Sequence, residues 1–76
     1  MQHVIVKLSE GRSEHQKQTL ADRIVETLQI VLDVDANAVS IAVQDVPPDI
    51  WYEAVYRPEI EEKKGYLYKK PGYCPR

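Results

Sequence analysis

One cysteine, Cys74, and three glycines are all that the 76 residues hold of either type. The lone cysteine excludes an intramolecular disulfide, and no Cys/His cluster has the spacing of a zinc site. So few glycines leave no glycine-rich phosphate loop. No apolar run approaches the roughly 20 residues that a membrane helix needs. Polar residues follow within a few positions of Met1, which is not the pattern of a signal peptide. A cytoplasmic protein with no membrane partner is therefore expected. The net charge of −2 lacks the basic excess of a nucleic-acid binder. No internal repeat and no low-complexity segment interrupts the chain, so residues 1–76 are expected to form one domain.

What is present has to work within a small core. A chain this short buries only about 60% of the surface its unfolded form exposes. With neither disulfide nor metal to help, the remaining common remedy is self-association.

The pattern of residues 3–8 alternates, with Val4, Val6 and Leu8 on one face and His3, Ile5 and Lys7 on the other, as in a strand. Gln2 falls on the Val4/Val6 side, which reads as the core side. Glu10, Gly11 and Arg12 break the pattern as a turn. Ser13 followed by Gln16 fits a capping box, and Glu14 suits the positive end of the helix behind it. Leu20, Ile24, Leu28 and Leu32 then recur every four residues, flanked by Ala21, Val25 and Val31. A helix is predicted from Glu14 to Leu32, a loop over 33–37 and a second strand over 38–46. In that strand Val39, Ile41 and Val43 share one face, and Ala38, Ser40, Ala42 and Gln44 the other. Those small residues would leave room for a cavity or, as the simpler reading, let the helix approach closely.

Strand, long helix and strand make a βαβ unit with parallel strands and a right-handed crossover. Two parallel strands alone make a poor sheet. The predicted architecture is therefore α/β: two chains set their sheets edge to edge, giving four strands with two helices on one face. The C-terminal segment or further dimers would cover the other face. Pro47 and Pro48 end the second strand, and a short helix is predicted over 49–56. Pro58 would interrupt it, with a second turn over 58–64 ending near Gly65. Tyr66, Leu67 and Tyr68 read as strand-like or extended.

Candidates for chemistry are few. No Ser/His/Asp constellation is readable, and no metal or cofactor is implied. His15 reads as a solvated helix residue, His3 as a surface or interface histidine, and Cys74 as inert. Arg57, Lys63, Lys64, Lys69, Lys70 and Arg76 stand against Glu59, Glu61 and Glu62. They form a solvated mixed-charge tail or, on a sharper reading, attract an anionic small molecule. Arg12 follows the C-terminal end of the first strand, where open α/β sheets commonly bind ligands. It can grip a carboxylate bidentately, or pair structurally with Glu10 or Glu14. Trp51 follows the second strand and gathers near that end, or serves as a core or interface anchor.

The run MQHVIVKLSEGRSEHQKQTLADRI resembles the opening of the 4-oxalocrotonate tautomerase superfamily. There a short strand leads into an EGRS-x-x-QK-x-x-L helix start, here Glu10-Gly11-Arg12-Ser13, Gln16-Lys17 and Leu20. VSIAVQDVPPDIW resembles that family's second strand and following turn. KKPGY, residues 69–73, resembles its longer bacterial members that act on enol forms of arylpyruvates. The resemblance implies keto–enol tautomerisation of a 2-oxo carboxylate without a cofactor, and assembly as dimers or as hexamers built from three dimers. KKPGY points to the homodimer, with the hexamer as the alternative. It implies that an arginine in the position of Arg12 binds the substrate carboxylate and that an aromatic residue in the position of Trp51 walls the pocket. The family's base is an N-terminal proline, exposed when methionine is removed, whose secondary amine stays neutral in an apolar site.

Here the chain departs from the family. The residue after Met1 is Gln2, whose amide is no base near neutral pH. Glutamine is also large for methionine removal, so Met1 is expected to stay. Its primary amine would then sit one residue, roughly 3.5 Å, from the family's position. At Ser40 some family members carry a second arginine; serine cannot supply that charge, which favours a monocarboxylate. Two readings follow: a tautomerase weakened at Gln2, or a silent homologue that binds a small acid or serves assembly.

Overall fold

A computed structural model describes residues 1–73; Cys74 and Arg76 lie outside the described residues. Strand β1 spans Gln2–Ser9, helix α1 Glu14–Leu32 and strand β2 Val39–Val46. The two strands pair in parallel along their whole length, from Gln2 opposite Val39 to Ser9 opposite Val46. This is the βαβ unit expected from the alternation and the helical period.

Local chemistry fixes the helix ends. Ser13 accepts from the Gln16 N–H while the Gln16 side chain accepts from the Ser13 N–H, closing the capping box. At the other end Asp33 takes a left-handed conformation, φ 55°, and its N–H donates to the Gln29 carbonyl. Asp35 accepts from the Asn37 N–H and starts a single 3-10 turn, Ala36–Ala38, so Ala38 precedes the strand rather than opening it.

α1 lies on the face of Ile41, Val43 and Asp45, where Lys17 reaches Asp45 at 2.7 Å. By the two-residue period, Gln2, Val4, Val6 and Leu8 share this face, and all are half-buried. The small residues Ser40 and Ala42 therefore face away from α1, so close helix approach is not their role. The helix packs on branched side chains instead, because those bury more apolar area. The inward stripe of α1 is Leu20, Ala21, Ile24, Val25 and Leu28; Val31 and Leu32, expected beside it, are exposed.

The segment after β2 departs most from expectation. A 3-10 turn, Pro48–Ile50, runs into a π-helix, Tyr52–Glu61, that continues through Pro58. The Glu62 N–H donates to the Arg57 carbonyl five residues back. In an α-helix a proline ring collides with the carbonyl four residues before it. The wider π turn moves that carbonyl aside, so Pro58 does not break the element. Tyr66 belongs to a further 3-10 turn, Lys64–Tyr66, and Leu67 is extended without a strand partner. Glu59 pairs with Lys7, tying this segment to the sheet face opposite α1.

Candidate active site

Between β1 and α1 the chain turns at Gly11, whose φ of 122° lies where L side chains strain. The Glu10 N–H donates to the Val46 carbonyl and anchors the turn to the end of β2. Arg12 stands exposed between this glycine and the helix cap. Neither Glu10 nor Glu14 pairs with its guanidinium; Glu14 is held by Lys17 at 2.7 Å. Asp45 first, and then Glu14, hold the Lys17 ammonium above the usual lysine range by accepting its hydrogen bonds.

Trp51 is half-buried, and its indole N–H donates to the Tyr73 hydroxyl at 3.2 Å. Tyr56 stacks on Tyr52 at 5.9 Å between centroids and meets Tyr73 edge-on at 5.8 Å. Trp51 thus belongs to an aromatic cluster that fastens residue 73 back onto the π-helix.

Gln2 lies at the other end of the molecule. It forms the first rung of the sheet, opposite Val39. At about 3.3 Å per residue, the length of β1 separates it from Arg12 by more than 20 Å. Within one protomer, therefore, Arg12 and Trp51 do not meet Gln2. The Gln2 side-chain oxygen is buried without a hydrogen-bond partner among the described residues.

Beside Gln2 a depression of about 400 Å³ opens between residues 1–3 and residues 37–40. His3 and Ser40 are direct partners across the strand pair, and the His3 Nδ1 lies 2.7 Å from the Ser40 Oγ. No property of either residue in isolation signals this contact; the strand register creates it. A wider cavity of about 580 Å³ lies over the C-terminal segment, lined by Tyr56, Ile60, Leu67, Lys64 and Lys70. Among the described residues no group of three His, Cys, Asp or Glu side chains gathers as a metal site would need, and no helix is long and apolar enough to cross a membrane.

A family model described as tautomerase enzyme matches residues 3–59. A protein named "Probable tautomerase" from Xylella fastidiosa (strain 9a5c) is 52% identical over 73 residues, covering 96% of this chain and 89% of that one. Tautomerase PptA of Klebsiella pneumoniae (strain 342) is 40% identical over 74 residues, covering 96% and 97%. Among solved structures, TomN, a 4-oxalocrotonate tautomerase homologue in the tomaymycin biosynthetic pathway, superposes with a TM-score of 0.64 at 25% identity, over 83% of this chain and 94% of its own. YwhB, a homologue of 4-oxalocrotonate tautomerase, shares the fold with a TM-score of 0.60 at 23% identity, over 62% and 77% of the two chains.

Proposed function

Because the chain belongs to the tautomerase enzyme family, we propose that it interconverts the enol and keto forms of an arylpyruvate-type 2-oxo monocarboxylate, at a rate held down by Gln2. The observation that carries this reading is the depression beside the first rung of the sheet, where Gln2 stands; the resemblance puts the family's base at that residue. A carboxamide offers no free pair of useful basicity there. Positioned acid–base groups typically contribute about 10²–10⁴-fold to such proton transfers.

Assembly would complete the site. A two-fold axis that sets two sheets edge to edge runs their strands antiparallel. The Gln2 end of one copy then meets the Arg12 end of the other, which the fold of a single chain keeps apart. An arginine free of its acidic neighbours suits the substrate carboxylate. Serine at position 40 in place of a second cation fits a substrate with one carboxylate.

The test compares ketonisation of the phenylpyruvate enol by this protein and by a Gln2→Pro variant, with intact mass showing that the variant has lost Met1. The variant is expected to be about 100-fold faster or more. Equal rates would sink the assignment of the second residue as the place of the base. The silent reading makes the opposite prediction: saturable binding of the acid, with no turnover even in the Gln2→Pro variant.

A further inference from the structure

The depression beside Gln2 is lined by one side chain whose type titrates near neutral pH, and it is His3. We propose that His3 is the catalytic base of this chain's own proton transfer and that Ser40 is its positioning residue. The proposal rests on the tautomerase reading above.

The strand pairing builds the arrangement. His3 and Ser40 are register partners, so their Cα positions are set by the ladder and their side chains share the sheet face away from α1. The contact at Nδ1, 2.7 Å to the Ser40 Oγ, occupies one ring nitrogen. With Nδ1–H donating to that hydroxyl, Nε2 carries the lone pair and is the nitrogen left to accept a proton. The ring is exposed, and no hydrogen bond ties Nε2 among the described residues. Asn37, Ala38 and Val39 bring no ionisable side chain to the depression. The α-amine of Met1 is the one other titratable group lining it. Lys7, four residues along the same face, is occupied by Glu59, and α1 packs on the opposite face.

The chemistry balances without an oxidant or a second reactant. Nε2 takes the enol hydroxyl proton, and the O–H bonding pair becomes the new C=O π bond. The former C=C pair takes up a proton at the adjacent carbon, delivered by the imidazolium, which returns to the neutral ring. One O–H bond is lost and one C–H bond is gained, so substrate and product are isomers.

The experiment measures phenylpyruvate enol ketonisation from pH 5 to 9 for the parent chain and for His3→Gln, Ser40→Ala and Ser40→Thr. Circular dichroism and gel filtration confirm that each variant keeps the fold and assembly. The parent rate above buffer is expected to rise with pH, as it does for any base that must be unprotonated to act. His3→Gln should lose that rise and about 10-fold or more of the rate. Ser40→Ala should lose several-fold, and Ser40→Thr, which keeps the hydroxyl, should restore it. A rise with pH that survives in His3→Gln would assign the base to the Met1 amine and overturn the proposal while leaving the tautomerase reading intact. No turnover by the parent over buffer would overturn both. Should His3→Gln fail to fold, titration of the parent with phenylpyruvate, followed by imidazole NMR, decides: the His3 resonances should shift and those of His15 should not. A silent His3 would defeat the proposal.

Discussion

The backbone at Gly11 holds φ at 122° with open space where a side chain would project. Alanine there would meet no clash, but it would strain the backbone by about 1–3 kcal/mol. Gly11→Ala should lower stability by that order in urea melts, and should also misdirect the neighbouring Arg12. Arg12 itself makes no ion pair to Glu10 or Glu14, so Arg12→Ala should leave stability within about 0.5 kcal/mol, as for other surface changes. On the proposed role of Arg12 in holding the substrate carboxylate, KM for the enol should rise at least 10-fold in this variant, with a smaller change in kcat. An unchanged KM would return Arg12 to an ordinary surface role. The capping box was readable because Ser13 and Gln16 are local neighbours. The His3–Ser40 contact was not, because 37 residues separate its partners and only strand register brings them together.

Among the elements, α1 and the two strands follow from their hydrophobic periods. The π-helix was hidden by Pro58, a residue that ordinarily ends a helix and here sits inside one. The contact between α1 and the sheet carries a pH dependence. Lys17 is shared by Asp45 and Glu14, and the folded state holds its proton more tightly than the unfolded chain does. Such a raised pKa stabilises the fold fully below the ordinary lysine value and ceases to do so as pH rises through the folded value. Asp45→Asn should therefore lower Tm at neutral pH, and the gap to the parent should close in strongly alkaline buffer. A gap that is constant with pH would mean that Asp45 acts through packing rather than through the ammonium.

The whole molecule is under-buried as a single chain. Among the described residues only Val46 and Val55 are buried hydrophobic residues, while Ile5, Ile30, Val31 and Leu32 are exposed. Its accessible surface is 6039 Å², against about 4,800 Å² for a compact monomer of this mass. The radius of gyration is 13.9 Å, against about 11 Å for this length. The excess surface is of the order that one partner contributes to a stable interface, which agrees with assembly through the sheet. Tm should accordingly rise with protein concentration. Ile5→Lys, on the sheet face away from α1, should shift the species seen by analytical ultracentrifugation to lower mass. An unchanged mass would place the interface elsewhere. Chain length and the absence of staples raise the expectation of self-association; which side chains a single chain leaves uncovered is set by its tertiary packing and was not legible in the sequence.

The first rung of the sheet has a consequence for inheritance. Proline is tolerated as the first residue of a strand, and Gln2 occupies that place. Glutamine codons become proline codons by changing their middle base alone. A small second residue would also permit cleavage of the initiator, so that one point mutation would bring both the amine and its exposure. On the proposed role of the second residue, a single nucleotide thus separates glutamine from the proline that the family resemblance places there, at a strand position that tolerates it. A library randomised at codon 2 and selected for enol ketonisation should return proline first.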